Sequence, residues 1–216
     1  MKFVPVKTPW LVKKLFSNYV WSIPTKEKVL YLTFDDGPTP DITEWTLDIL
    51  KKFNSKATFF CIGNNIEKHP DIFKRIQVEG HSVGNHTYAH VRGWKTKTND
   101  YIDEVLRTQM VMGNPIQNSE FRIQNLFRPP YGQITSKQGK ILCKLGYNII
   151  MWDILAFDWM DSISNEKCTQ NVISKATSGS IIVFHDSIKA SERMQYALPK
   201  VLEYFSEKGF VFRSIA

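Results

Sequence analysis

The sequence predicts an α/β barrel built from one domain of 216 residues. Three observations lead there. From Val29 onward, short apolar runs alternate with amphipathic helical patterns, which implies a parallel sheet covered by helices. With 43% hydrophobic residues the chain can bury one substantial core, and no repeat, low-complexity tract or linker divides it. Residues that carry chemistry also fall just after strands on five separate βα units: Asp35 with Asp36, His86, Arg128, Asp158 and His185. An open sheet collects its site around one switch point, whereas a barrel gathers every strand's C-terminal end at one mouth.

In chain order, residues 1–28 form an extension expected to pack on the barrel, and residues 29–216 form the barrel domain. In the extension Thr8 is placed to cap a short helix with Pro9 at its first position, and Trp10, Leu11, Leu15 and Phe16 form a stripe expected to pack against the domain. "VLYLTF" (29–34) reads as a strand. A helix follows from Ile42, with Asp41 and Glu44 spaced as a capping box. "ATFFCI" is the second strand, "DIFKRIQVEG" a helix ending at Gly80, and "SVGN" a short strand. A helix over Thr98 to Met112 precedes strand-like "LFR", a helix over Lys137 to Leu145, and a strand "YNIIMW". A helix from Lys167 to Ala176, strand "SIIVFH", a helix from Met194 to Ser206 and a terminal "FVFRS" complete the pattern.

Composition narrows the function classes. The net charge of +7 comes from lysines spread along the chain with no run of five basic residues, so no nucleic-acid partner is expected. Cys61, Cys143 and Cys168 show no CxxC spacing, and Cys61 lies in an apolar strand, so a disulfide framework is not expected. Lys7, Pro9, Lys13 and Lys14 interrupt the apolar residues of the N-terminus, so it does not read as a signal peptide and a cytoplasmic location is expected. No apolar stretch approaches the roughly 18 residues of a membrane span, so no transmembrane anchor is expected.

The chemistry concentrates at a few short motifs. "HTYAH" spaces His86 and His90 four apart, so on one helical turn both imidazoles would share a face and hold one metal ion. One carboxylate from Asp35–Asp36 would complete a His-His-carboxylate triad that keeps positions open for water and substrate. The other carboxylate would then be free to take a proton from water activated by the ion. His69 and His81 read as surface or capping residues. His185, in "VFHD", can protonate a leaving group. In "RPPYG", the Arg128 guanidinium can orient a carboxylate and the Tyr131 N–H can face an oxyanion. Asp158–Trp159 offers a polar group and an aromatic wall for a sugar ring or acetyl group.

Taken in order, "TFDDGP", "HTYAH", "RPPYG" and "VFHD" resemble the polysaccharide deacetylases of the NodB-homology class (carbohydrate esterase family four), from about Val29 to the C-terminus. The resemblance implies a distorted (β/α) barrel of about seven parallel strands. It also implies hydrolysis of N-acetyl, sometimes O-acetyl, groups on a glycan with one divalent ion. That ion is usually zinc, with cobalt or another divalent ion as alternatives. On the matching positions it implies Asp35 as general base, Asp36, His86 and His90 as metal ligands, and His185 as general acid. Arg128 and Tyr131 join the catalytic set, with Tyr131, Asp158 and Trp159 against the substrate.

One position departs from the family pattern: Leu155 stands where an Asp usually braces the motif arginine, here Arg128. Asp153 shares a strand face with Leu155 and is expected to take over that brace, leaving Asp35 unencumbered. Two other readings fit the same residues: a metal- and glycan-binding protein with little turnover, and an amide hydrolase acting on a small non-glycan substrate.

Overall fold

The computed structural model describes residues 5–113 and 125–216. Its centre is β1 (Val29–Asp35), buried along its whole length on both faces, as a central parallel strand must be. Leu30, Leu32 and Phe34 pack outward with helices α2 (Ile42–Lys52) and α8 (Ser191–Glu207). There Phe34 stacks on Phe59 at 5.1 Å and on Phe184 at 6.1 Å between ring centroids. The alternate residues Val29 and Tyr31 belong to the opposite, inner cluster with Phe60 and Ile181. Strand alternation continues that inner row through Thr33 to Asp35, so the chain's first carboxylate sits where the row reaches the mouth.

Strands β2 (Ala57–Cys61), β3 (Ser82–Asn85), β4 (Leu126–Phe127) and β5 (Asn148–Ile149) extend the sheet on one side of β1. On the other side lie β7 (Ile181–His185) and β6 (Ile154–Leu155). Every pairing among these seven is parallel, and β8 (Val211–Phe212) adds a short parallel pair to the start of β1. The end strands β5 and β6 do not pair with each other among the described residues, so the sheet is a curled half-barrel. This is the distorted barrel the sequence predicts. The N-terminal segment lies across the opening, with isolated bridges from Lys7 to Ile154, Val20 to Ile150 and Ser22 to Ser180.

Several elements depart from expectation. The run "YNIIMW" makes a strand of only two residues because other groups claim its backbone. The Ile150 and Met151 carbonyls accept from Arg128, and the Met151 N–H donates to the Val20 carbonyl. β6 then starts anew beyond this break. Helix α3 (Gly63–Lys68) was not expected, since Gly63, Asn64 and Asn65 are poor helix formers. Tertiary bonds hold it: the Gly63 and Asn64 N–H groups donate to the Thr87 and Tyr88 carbonyls. It leads into α4 (Pro70–Val78) through His69 at the N-cap position. His81, expected at the surface, is buried and accepts the Ala57 N–H, and burial pushes its imidazole down to about 4.

The extension also needs correction. Helix α1 (Trp10–Leu15) forms, but Thr8 does not cap it; its hydroxyl donates instead to the Trp152 carbonyl at 2.8 Å. The stripe does not pack: Trp10, Leu11, Leu15 and Phe16 are all exposed, Trp10 by 70%. Contact with the domain runs through Trp21, buried beside Phe127 and Tyr147, and through the bridges above. Among the described residues no helix is long and apolar enough to cross a membrane.

Candidate functional site

The turn after β1 is held in a conformation that few residues adopt freely. Asp36 has φ +82°, in the left-handed region that is costly for a non-glycine residue. Its carbonyl accepts from the Asn65 side chain at 2.8 Å, and the Gly37 carbonyl accepts the Ile62 N–H at 2.9 Å. From the end of β7, the Asp186 carboxylate takes the Gly37 N–H at 3.0 Å and the Thr43 hydroxyl at 2.5 Å. A Cβ at Gly37 would overlap that carboxylate, which is why the two acids are followed by glycine. Asp186 stands next to His185 in the sequence, yet the His185 ring meets Asp158 instead. The actual work of Asp186, pinning the turn, leaves no signal in the local sequence.

His86 and His90 are not on a helical turn. The segment is a loop in which Thr87 and His90 take positive φ, and this folding brings the imidazole centroids to 5.1 Å. The His86 Nδ1 lies 2.8 Å from the Arg128 carbonyl, the geometry of an Nδ1–H donor, which leaves Nε2 to face Asp36. Asp36 Oδ1 is 3.2 Å from His90 Nε2 and 3.7 Å from His86 Nε2. Burial pushes His86 down to about 4, so its ring is neutral at physiological pH. Burial raises Asp36, but the imidazoles of His90, His185 and His86 outweigh it and hold the carboxyl well below the usual range.

One oxygen and the ring nitrogens thus converge with all their ligand atoms within 4.8 Å of one another. Asp36 Oδ1 is buried and accepts no hydrogen bond among the described residues. A buried acceptor without a donor costs about 1–3 kcal/mol. A divalent cation is the species that would satisfy it. The donor set, two imidazoles and one carboxylate with open positions beside them, fits such an ion.

Asp35, the neighbouring acid, lines the same cavity and points elsewhere. Its Oδ1 accepts from Arg128 Nη1 at 2.7 Å. The brace expected from Asp153 is not there. Asp153 lies just before β6, two residues further from the mouth than Leu155, where Lys13 reaches it at 2.5 Å, Lys7 at 3.4 Å and the Ser180 hydroxyl at 2.5 Å. Sharing a face with Leu155 does not compensate for that descent of roughly 6–7 Å. Arg128 is instead satisfied by Asp35, the Thr33 hydroxyl and the Ile150 and Met151 carbonyls, with Phe60 against its guanidinium at 4.1 Å. It is fully buried behind Asp35 and does not line the cavity, so it positions Asp35 and cannot meet substrate. Thr33 was overlooked, although strand alternation places it on Asp35's face.

On the neighbouring strand, His185 ends β7 in register with Asp35. Asp158, expected against substrate, is fully buried behind His185. One carboxylate oxygen takes the His185 backbone N–H at 2.6 Å, and the other lies 2.9 Å from Nδ1. Burial alone would lower His185, but Asp158, helped by Asp36 and Asp35, lifts it to about 9. Trp159 does line the cavity, its ring set edge-on to His185 at 4.6 Å. Tyr131 has φ +58°, and its N–H donates no hydrogen bond among the described residues.

These groups surround one cleft of about 570 Å³ walled by Tyr131, Trp152, Leu155 and Trp159, a volume suited to a sugar residue and its substituents. Such a cleft, with an ion site, a carboxylate and a carboxylate-backed histidine, can hydrolyse an acyl group.

Comparison with known proteins agrees. A peptidoglycan-N-acetylglucosamine deacetylase of Bacillus cereus is 35% identical over 195 residues, covering 90% of this chain and 69% of the relative. The peptidoglycan-N-acetylmuramic acid deacetylase PdaA of Bacillus subtilis is 32% identical over 210 residues, covering 95% and 76%. A crystal structure of a peptidoglycan N-acetylglucosamine deacetylase superposes with a TM-score of 0.85 at 33% identity, over 96% of this chain and 95% of the other. Residues 22–150 match the model of the polysaccharide deacetylase family, and the chain belongs to that family.

Proposed function

We propose that this enzyme removes the acetyl group from an N-acetylated amino sugar in a glycan of the peptidoglycan kind. The observation that carries the reading is the placement of Asp35 and His185, in register on neighbouring strands, in the same cleft as the Asp36–His86–His90 cluster. Asp36 and the two Nε2 atoms would hold the ion, with zinc suited to this nitrogen-rich set. When bound, that ion polarises the acetyl carbonyl and acidifies water.

Asp35, fixed by Arg128 and open to the cleft, takes the proton of the attacking water. The Tyr131 N–H, without an internal acceptor, donates to the oxygen on which negative charge develops. His185, protonated up to about pH 9 through Asp158, passes its proton to the departing amine as acetate leaves. Trp159 and Tyr131 present apolar faces to the sugar ring.

The test is acetate release from peptidoglycan fragments, chitooligosaccharides and acetylated xylan, with zinc, cobalt or no added ion. We expect release from the amino-sugar substrates, dependent on the ion, and about one ion bound per chain. His86→Ala combined with His90→Ala should abolish that binding. Full occupancy in the double variant would exclude this site, and release confined to xylan would exclude the amide substrate.

A further inference from the structure

We infer that the cleft selects glycans whose acetamido sugar stands beside a carboxylate, and that Arg92 and Lys189 are the residues that select them. This deepens the reading above and rests on it. Four charged side chains besides the histidines line the cleft: Asp35, Asp36, Arg92 and Lys189. The two acids are already matched, Asp35 by Arg128 and Asp36 by the imidazoles that face it. Among the described residues neither Arg92 nor Lys189 has a carboxylate within ion-pair distance. The rim of the cleft therefore carries two unmatched positive charges.

Arg92 is held through its side chain and its backbone, and Lys189 through its backbone. The Arg92 guanidinium lies over the Tyr131 ring at 3.9 Å, and Tyr131 in turn sits 4.6 Å from His90. The Arg92 carbonyl accepts the Thr96 hydroxyl at 2.8 Å, which fixes the backbone that presents it. The Lys189 carbonyl accepts from Arg193 at 3.2 Å, and the same guanidinium donates to the Asp158 carbonyl at 2.7 Å. Lys189 is thereby tied to the element that holds His185's partner. One cation thus rises on the His90 side of the cleft and the other on the His185 side.

A neutral polymer of N-acetylglucosamine offers these cations only uncharged hydroxyl, amide and ether oxygens. A 3-O-lactyl ether, the substituent that makes an amino sugar muramic acid, carries one carboxylate next to the acetamido carbon. That group can reach a rim cation while the acetyl group occupies the cleft. A guanidinium or ammonium donating to carboxylate makes a charge-assisted bond, stronger than any to hydroxyl, and an arginine already stacked on an aromatic ring loses little freedom in making it.

The probe is a tetrasaccharide of alternating N-acetylglucosamine and N-acetylmuramic acid, compared with the same oligomer whose lactyl carboxylates are methyl esters. The parent enzyme should favour the acid in kcat/KM by about tenfold, mostly through KM, and the preference should shrink as salt screens the rim. Arg92→Gln and Lys189→Gln should each cut the preference by about threefold or more, and the double variant should treat acid and ester alike. Equal use of both oligomers by the parent enzyme would overturn the inference. So would a preference that survives in the double variant. If neither oligomer releases acetate, the deacetylase reading itself falls; calorimetric binding of the same pair then decides whether the cleft prefers the carboxylate.

Discussion

Asp158→Asn isolates what the buried carboxylate does for His185. The substitution keeps size and one acceptor but removes the charge 2.9 Å from Nδ1. In the parent protein that charge, with Asp36 and Asp35, lifts His185 from its ordinary 6.5 to about 9, equivalent to about 3 kcal/mol favouring the imidazolium. Without Asp158 the strongest opposing influence is burial, which favours the neutral ring, so the histidine should titrate at or below its ordinary value. At pH 8 the protonated fraction would fall from about 0.9 to about 0.03, a loss of roughly 30-fold in an acid-dependent step, while at pH 6 the loss would be slight. The assay is kcat/KM for acetate release from pH 5.5 to 10 with the divalent ion in excess.

The alkaline limb should move down by two pH steps or more. Stability gives a second readout with a definite sign. A histidine raised by folding stabilises fully below its unfolded value and loses that contribution as pH climbs through about 9. Asp158→Asn should therefore lower Tm at pH 6 more than at pH 10. An alkaline limb that stays in place, with kcat/KM reduced equally at every pH, would refute the reasoning and reduce Asp158 to a packing residue.

Two further outcomes follow from the division of labour around the cleft. Asp35→Asn should keep the ion and lose on the order of 10²–10⁴ in rate, the range for a positioned base, whereas Asp36→Asn should lose ion and rate together by metal analysis and acetate release; identical behaviour would refute separate roles. Asp153→Ala should cost roughly 2–4 kcal/mol, because it removes the acceptor of the buried Ser180 hydroxyl and the counter-charge of the part-buried Lys13. Tm should drop by about 5–10 °C while kcat stays within about twofold; lost activity at unchanged Tm would restore Asp153 as the arginine's brace.

How far the sequence could be read depended on the range of the interactions involved. The barrel, its long helices and the residues at strand ends were legible because period-2 and period-3.6 patterning is local. The helix over Thr98–Met112 matches expectation to the residue. The early end of β5 and the separate start of β6 beyond Trp152 were not legible, because Arg128 and Val20, distant in sequence, take the hydrogen bonds that would have continued the first strand. The same limit hid the partners of charged groups. Asp153 and Leu155 do share a face, but which cation meets Asp153 depends on Lys7 and Lys13, contributed by an extension more than 130 positions away. The stripe of α1 misled in the opposite sense: apolar spacing promised burial, and among the described residues nothing covers it.

Arg128 shows why the substitution at Leu155 is compatible with an ordered site. A fully buried guanidinium is costly unless its charge is countered and its N–H groups are taken up. Here the counter-charge is Asp35, and the Thr33 hydroxyl and two main-chain carbonyls take three more of the five N–H donors, none of them supplied by β6. Leu155 is therefore released to face the cleft and packs with Val183 and Trp159 as part of its apolar wall. An acid at that position would add a negative charge to a cleft already holding Asp35 and Asp36. The leucine adds no such charge, and among the described residues the rim cations Arg92 and Lys189 have no carboxylate within ion-pair distance. The departure from the family pattern thus points the same way as the unmatched charges: a cleft arranged so that the missing anion comes with the substrate.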